Sequence, residues 1–162
     1  MQLLVLRHAK SSWADRHADD WERPLTERGE RDASRVGDLL RRLRLVPDLI
    51  ITSDAVRAQT TAQRAAAAAG YAGKLSLSPR LYHATPDAVI EVLHEAASTS
   101  PRTLMIVGHN PGLEDLVEQL TGAHVGLSTA TLVQIELPVQ RWDEVGLSGT
   151  GTLRASWHPD EM

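Results

Sequence analysis

Cysteine is absent from the 162 residues. That excludes a disulfide framework, a thiolate metal site and a cysteine nucleophile. Phenylalanine is absent too, and only four Trp and two Tyr supply aromatic rings, so a core must rest on Leu, Val, Ile and Ala. Positive charge is not in excess. With a formal net charge of −4, wholesale binding of nucleic acid or of an anionic membrane through a basic surface is not expected. No apolar run is long enough to span a membrane, and residues 2–6 are too short for the apolar region of a secretory signal, so a cytoplasmic location is expected. The seven His lack ligand spacing such as H-E-x-x-H, so a metallohydrolase built on them is a weak reading. Internal repeats, low-complexity tracts and linkers are also missing. The reading is one domain over residues 1–162, long enough for a full core.

Apolar runs of strand length alternate with segments of helical period. Residues 2–6 read as a short buried strand, followed by a polar connection over 14–25. Thr26 is a plausible N-cap for a helix with Val36, Leu39, Leu40 and Leu43 on one stripe. Gly29, Ala33 and Gly37 form a small-residue row on that helix. After Pro47, "DLIITS" (48–53) reads as a second buried strand, and Ser53 or Asp54 can cap an Ala-rich helix over about 55–69 that stops at Gly70. "KLSLS" (74–78) alternates like a strand. "TPD" (85–87) opens a helix that turns Val89, Ile90, Leu93 and Ala97 inward. "TLMIV" (103–107) is another buried strand, followed by "GHNPG" and a helix with Leu113, Leu116, Val117 and Leu120. "TLVQIEL" (131–137) and "TLRASWH" (152–158) alternate with period two, the latter placing Leu153, Ala155 and Trp157 on one face. Residues 138–151 are a turn-rich link. The pattern predicts an α/β layer sandwich, a mainly parallel sheet flanked by helices, with the last two strands pairing antiparallel.

In open α/β sheets, ligands bind beyond the carboxyl ends of strands. The first strand ends in Arg7-His8, the second in Thr52-Ser53 with Arg57 one turn into the next helix, and the fourth in Gly108-His109-Asn110. Two Arg and two His from three strand ends suit a phosphoryl group. Arg presents planar donors to phosphate oxygens and stays charged, a neutral His can attack phosphorus, and a second His can donate to the developing charge. Singly, each has a plainer explanation: a strand end pairing with acids, a turn histidine, a solvated helix residue. The conjunction favours chemistry, but it does not say which His attacks.

"LRHAKSSW", "TSDAVRAQTTA" and "VGHNPGLEDLV" resemble, in order, the three signatures of the histidine phosphatase superfamily. Ala9, "RPLTERG" (23–29) and "GHNPGLE" (108–114) resemble its small SixA-like branch of phosphohistidine phosphatases. The resemblance implies a three-layer, phosphoglycerate mutase-like fold without metal or organic cofactor. It implies that His8 is the nucleophile that becomes phosphohistidine, and that Arg7, Arg57 and His109 complete the phosphate pocket. Ser11, Ser53, Asn110 and His83 are the expected substrate-binding residues.

Two departures bear on the substrate. Mutase-type relatives carry Asn directly after the Trp of the first motif. Here Ala14 follows Trp13, and Asn110 is the residue offered in its place. Mutases and many phosphatases also place a general-acid Glu where "LYHATPD" has His83. Asp15 and Asp20, the other candidate acids, read as solvated loop residues. An alkoxide leaving group needs a proton as it departs, whereas a protonated imidazole can leave neutral. The reading is therefore a phosphatase for phosphohistidine in proteins. The alternatives are a phosphatase for small phosphomonoesters or a non-catalytic phosphate-binding module. The expected partner is a phosphorylated protein or a small phosphorylated substrate.

Overall fold

The computed structural model describes residues 1–146 and 150–162. The part of the link at 147–149 lies outside the described residues. The order is β1 (Gln2–Arg7), α1 (Glu27–Arg42), β2 (Leu49–Thr52), α2 (Val56–Ala69), β3 (Leu75–Leu77), α3 (Pro86–Glu95), β4 (Thr103–Gly108), α4 (Gly112–Thr121), β5 (Leu132–Glu136) and β6 (Thr152–Trp157), with short 3₁₀ turns between several of them. The strands form one sheet in the order β3-β2-β4-β1-β5-β6. β3, β2, β4 and β1 run parallel, and β5 and β6 add an antiparallel edge. This is the expected mainly parallel α/β sandwich.

The central strands read as continuous apolar runs because both of their faces are covered. Leu3 and Val5 of β1 pack with Leu104 and Ile106 of β4 against α3 and α4. Leu4 and Leu6 pack with Met105 and Val107 against α1 and α2 on the other face. Helix starts follow local chemistry. The Thr26 hydroxyl accepts from the Gly29 N–H, and the Thr85 hydroxyl from the Ala88 N–H. The small-residue row on α1 does what its spacing suggested. A Cβ on Gly37 would strike the Ala65 carbonyl of α2, and one on Gly29 would strike the Lys10 carbonyl, so both backbones approach without a side chain between them.

Two local expectations change. Helix α2 begins at Val56, and Ala55, without a side-chain cap, precedes it. The Ser53 hydroxyl instead accepts from the Ala55 N–H at 3.2 Å, inside the turn that links β2 to α2. In β6, Leu153, Ala155 and Trp157 do not share one face. The register against β5 slips between Gln134 and Ile135, and a one-residue slip turns the following side chains over. Leu153 therefore packs on the α3/α4 side and Trp157 on the α1/α2 side.

Candidate active site

Sheet register brings the three strand ends side by side. Arg7 lies opposite Gly108, and Thr52 opposite Val107. The ladders continue one residue further, the His8 N–H donating to the Gly108 carbonyl at 3.0 Å and the Ser53 N–H to the Val107 carbonyl at 2.9 Å. The expected residues Arg7, His8, Ser53, Arg57 and His109 gather at this edge. His8 is 7% exposed, Arg57 4% and His109 6%. The two imidazoles lie with ring centroids 5.2 Å apart.

His8 has a defined tautomer. Its Nδ1 lies 2.7 Å from the Ala9 carbonyl, and a carbonyl oxygen can only accept, so Nδ1 carries the hydrogen. In the neutral ring, Nε2 then bears the lone pair. Burial, then the fields of Arg57, Arg7 and Arg23, push its pKa down to about 4, against the opposing bond to Ala9. His109 is pushed down to about 3, by burial first and then by His8 and Arg57. Its Nε2 lies 2.8 Å from the Ser53 hydroxyl, while Nδ1 is buried without a protein partner.

The two arginines are held alike. Arg7 donates from Nη1 to the Leu127 carbonyl at 2.8 Å. Arg57 donates from Nη1 to the Asp20 carbonyl at 2.6 Å. In each, Nε is buried and has no acceptor. Unmatched buried donors are costly and are normally satisfied. Two such donors, on two cationic groups, make a place suited to an anion.

Asp20 is not the solvated loop acid that the sequence suggested. Its Oδ2 accepts from Arg57 Nη2 at 2.9 Å and from the Tyr82 hydroxyl at 2.6 Å. Its Oδ1 accepts from Arg23 Nη1 at 3.0 Å. The Tyr82 hydroxyl, then Arg23 and Arg57, hold the Asp20 carboxyl well below the usual carboxylate range against a modest burial effect. Burial, then Asp20 itself, pushes the Tyr82 phenol up. Asp15 is exposed and caps only the His17 N–H.

The remaining expected residues form a ring around this centre. Ser11 accepts from Arg23 Nη2 at 2.5 Å, and the Arg23 guanidinium lies over the Trp13 ring at 3.2 Å. His83 is largely exposed, with a φ of +52°. It is stacked near Tyr82 (4.0 Å), and its Nε2 is 3.8 Å from Asp20 Oδ2. Asn110 has spent its amide hydrogens on Glu114 Oε1 (2.9 Å) and the Leu127 carbonyl (2.8 Å), so its remaining Oδ1 is an acceptor. Glu114 also takes the Leu127 N–H at 2.8 Å, fixing the carbonyl that grips Arg7. Thr61 links the layers: it accepts from the Ala9 N–H at 2.9 Å and donates to the Arg57 carbonyl at 2.7 Å. Sequence reasoning set Asp20 aside as a solvated acid and missed Tyr82, Thr61 and Glu114. These three lie inside quoted motifs, but their partners are set by the fold. Among the described residues, no three His, Asp or Glu side chains converge as a metal site.

Comparison with known proteins settles the family. Residues 3–89 match the model of the histidine phosphatase superfamily, branch 1. The chain belongs to the histidine phosphatase superfamily. The chain is 31% identical, over 159 residues, to an uncharacterized chloroplastic protein of Arabidopsis thaliana, covering 93% of this chain and 73% of that one. Its fold superposes on the protein histidine phosphatase SixA complexed with tungstate with a TM-score of 0.85, covering 99% of this chain and 98% of that chain at 20% identity. A candidate SixA phosphohistidine phosphatase from Agrobacterium tumefaciens is 27% identical, with a TM-score of 0.82 and coverage of 98% and 97%.

Proposed function

We propose that this histidine phosphatase carries the phosphoryl group on His8 and releases it from phosphohistidine in proteins, without a metal. The observation that carries the reading is the His8 hydrogen bond to Ala9, which leaves Nε2 with the lone pair. In the first step Nε2 attacks phosphorus, the bond to the leaving group breaks, and its electron pair departs with that group. Arg7 and Arg57 neutralise the equatorial oxygens, and His109 offers them a hydrogen bond. In the second step water attacks phosphorus, and the P–N electron pair returns to Nε2.

The choice of a P–N substrate rests on the acids present. Asp20 is held ionised and has no proton to give an alkoxide at neutral pH. His83 is exposed on the rim. A protonated phosphohistidine brings its own proton and needs no strong acid. The similarity to SixA supports the same direction.

The test is a panel of phosphohistidine peptide, aryl phosphate and sugar phosphate, run with wild type and His8→Ala. Wild type is expected to prefer the peptide by at least about tenfold, and His8→Ala to lose both turnover and the acid-labile phosphoenzyme. Turnover retained in His8→Ala would refute the covalent route. A preference for sugar phosphate would refute the substrate.

A further inference from the structure

A cavity of about 210 Å³ opens beside His109. One wall is the start of α3, with His83 and Thr85. The other is the start of α4, with Asn110 and Asp115. The walls meet at the base, where a Cβ on Gly112 would strike the Ala84 carbonyl. Among the described residues its lining holds no Lys or Arg, although the neighbouring phosphoryl site is built on arginines. Asp115 is exposed, and its side chain makes no hydrogen bond with the described residues. It is thus available to whatever enters.

Charge changes sign across His109. The arginine side takes an anion, while the cavity side presents a carboxylate. The first turns of α3 and α4 both border the cavity and by themselves favour an anion. Each is already answered by an acid of its own helix, Asp87 in α3 and Glu114 in α4. What remains suits a group that is neutral or cationic.

We infer that Asp115 selects the leaving group by charge, favouring a protonated nitrogen base and opposing a second acid next to the phosphoryl group. This rests on the phosphohistidine reading above and gives it a specificity residue. The departing imidazole takes up a proton from solvent at its free ring nitrogen, and that N–H faces Asp115. When Nε2 of His8 bonds to phosphorus, the P–N electron pair goes to the departing nitrogen. The ring leaves neutral, keeping its proton. A phosphorylated acid such as 3-phosphoglycerate would instead place its carboxylate against Asp115.

The experiment compares wild type with Asp115→Asn. It reads kcat/KM on a phosphohistidine peptide, and the inhibition constants of 3-phosphoglycerate and glycerol 3-phosphate, which differ by a carboxylate. In the variant, peptide kcat/KM should fall about fivefold, and the ratio of inhibition constants should shift about fivefold towards phosphoglycerate, as for one partly exposed charge pair. An unmoved ratio, or failure of both compounds to compete, overturns the inference. A shifted ratio in a protein inactive on the peptide overturns the phosphohistidine reading and retains the charge selection.

Discussion

The histidines at the strand ends should make the fold acid-sensitive in a calculable way. The perturbation is His8→Gln, which removes a titrating group and keeps a polar side chain of similar reach. His8 is buried beside arginines and has its pKa lowered to about 4, against an ordinary value near 6.5. The fold therefore favours the neutral ring. That contribution is fully present above about pH 6.5, where the unfolded chain is neutral too, and is lost as pH falls towards 4, where the unfolded chain alone takes the proton. At pH 4.5 the difference amounts to about 2–3 kcal/mol. Urea unfolding between pH 7.5 and 4.5 measures it. Wild type should lose about 2–3 kcal/mol more than His8→Gln over that range. Saturating phosphate should flatten the wild-type slope only in part, because an anion cancels the arginine fields and leaves the larger effect of burial. Parallel pH slopes in the two proteins would refute the account of His8 as a buried, neutral base.

Asp20→Ala removes three charge-assisted bonds, to Arg57, Tyr82 and Arg23, and leaves Arg57 only a backbone carbonyl. With the Asp20 side chain 39% exposed, steady-state kinetics should show kcat/KM falling about tenfold, in line with about 1–2 kcal/mol. Asp20→Asn should recover most of the loss, and equal losses would point to charge rather than positioning. Gly37→Ala sets a methyl against the Ala65 carbonyl, and since backbone cannot yield, α1 and α2 must part. Stability should fall by about 1–3 kcal/mol, read as a lower urea midpoint with the same slope.

The layers were legible because the signal was redundant. Leu3 to Leu6 and Leu104 to Val107 are apolar at every position, as strands covered on both faces must be. The helices between them carry stripes and Thr caps that agree with the layout. The gathering of Arg7, His8, Arg57 and His109 was legible because strand ends are a short list, and Arg and His on three of them point to one chemistry. What was hidden depends on paths through space. Asp20 reaches Arg57 only because the 14–25 connection folds back over the site, and a polar loop carries no periodicity to reveal that. Ser53 looked like a helix cap because the next element is a helix, but its hydroxyl is shared with His109. The β6 irregularity was hidden because alternation read from one strand assumes an unbroken partner. Which His attacks was supplied by resemblance. The Ala9 bond that fixes the His8 tautomer is a matter of ring orientation.

Arg7 and Arg57 are both anchored by main-chain oxygens, those of Leu127 and Asp20. Every amino acid brings a carbonyl, so this part of the anchor belongs to the path of the loop, while the Asp20 carboxylate adds a side-chain hold on Arg57. The surfaces around the site can therefore be rewritten residue by residue, Asp20 aside, while both guanidinium groups keep their main-chain acceptors.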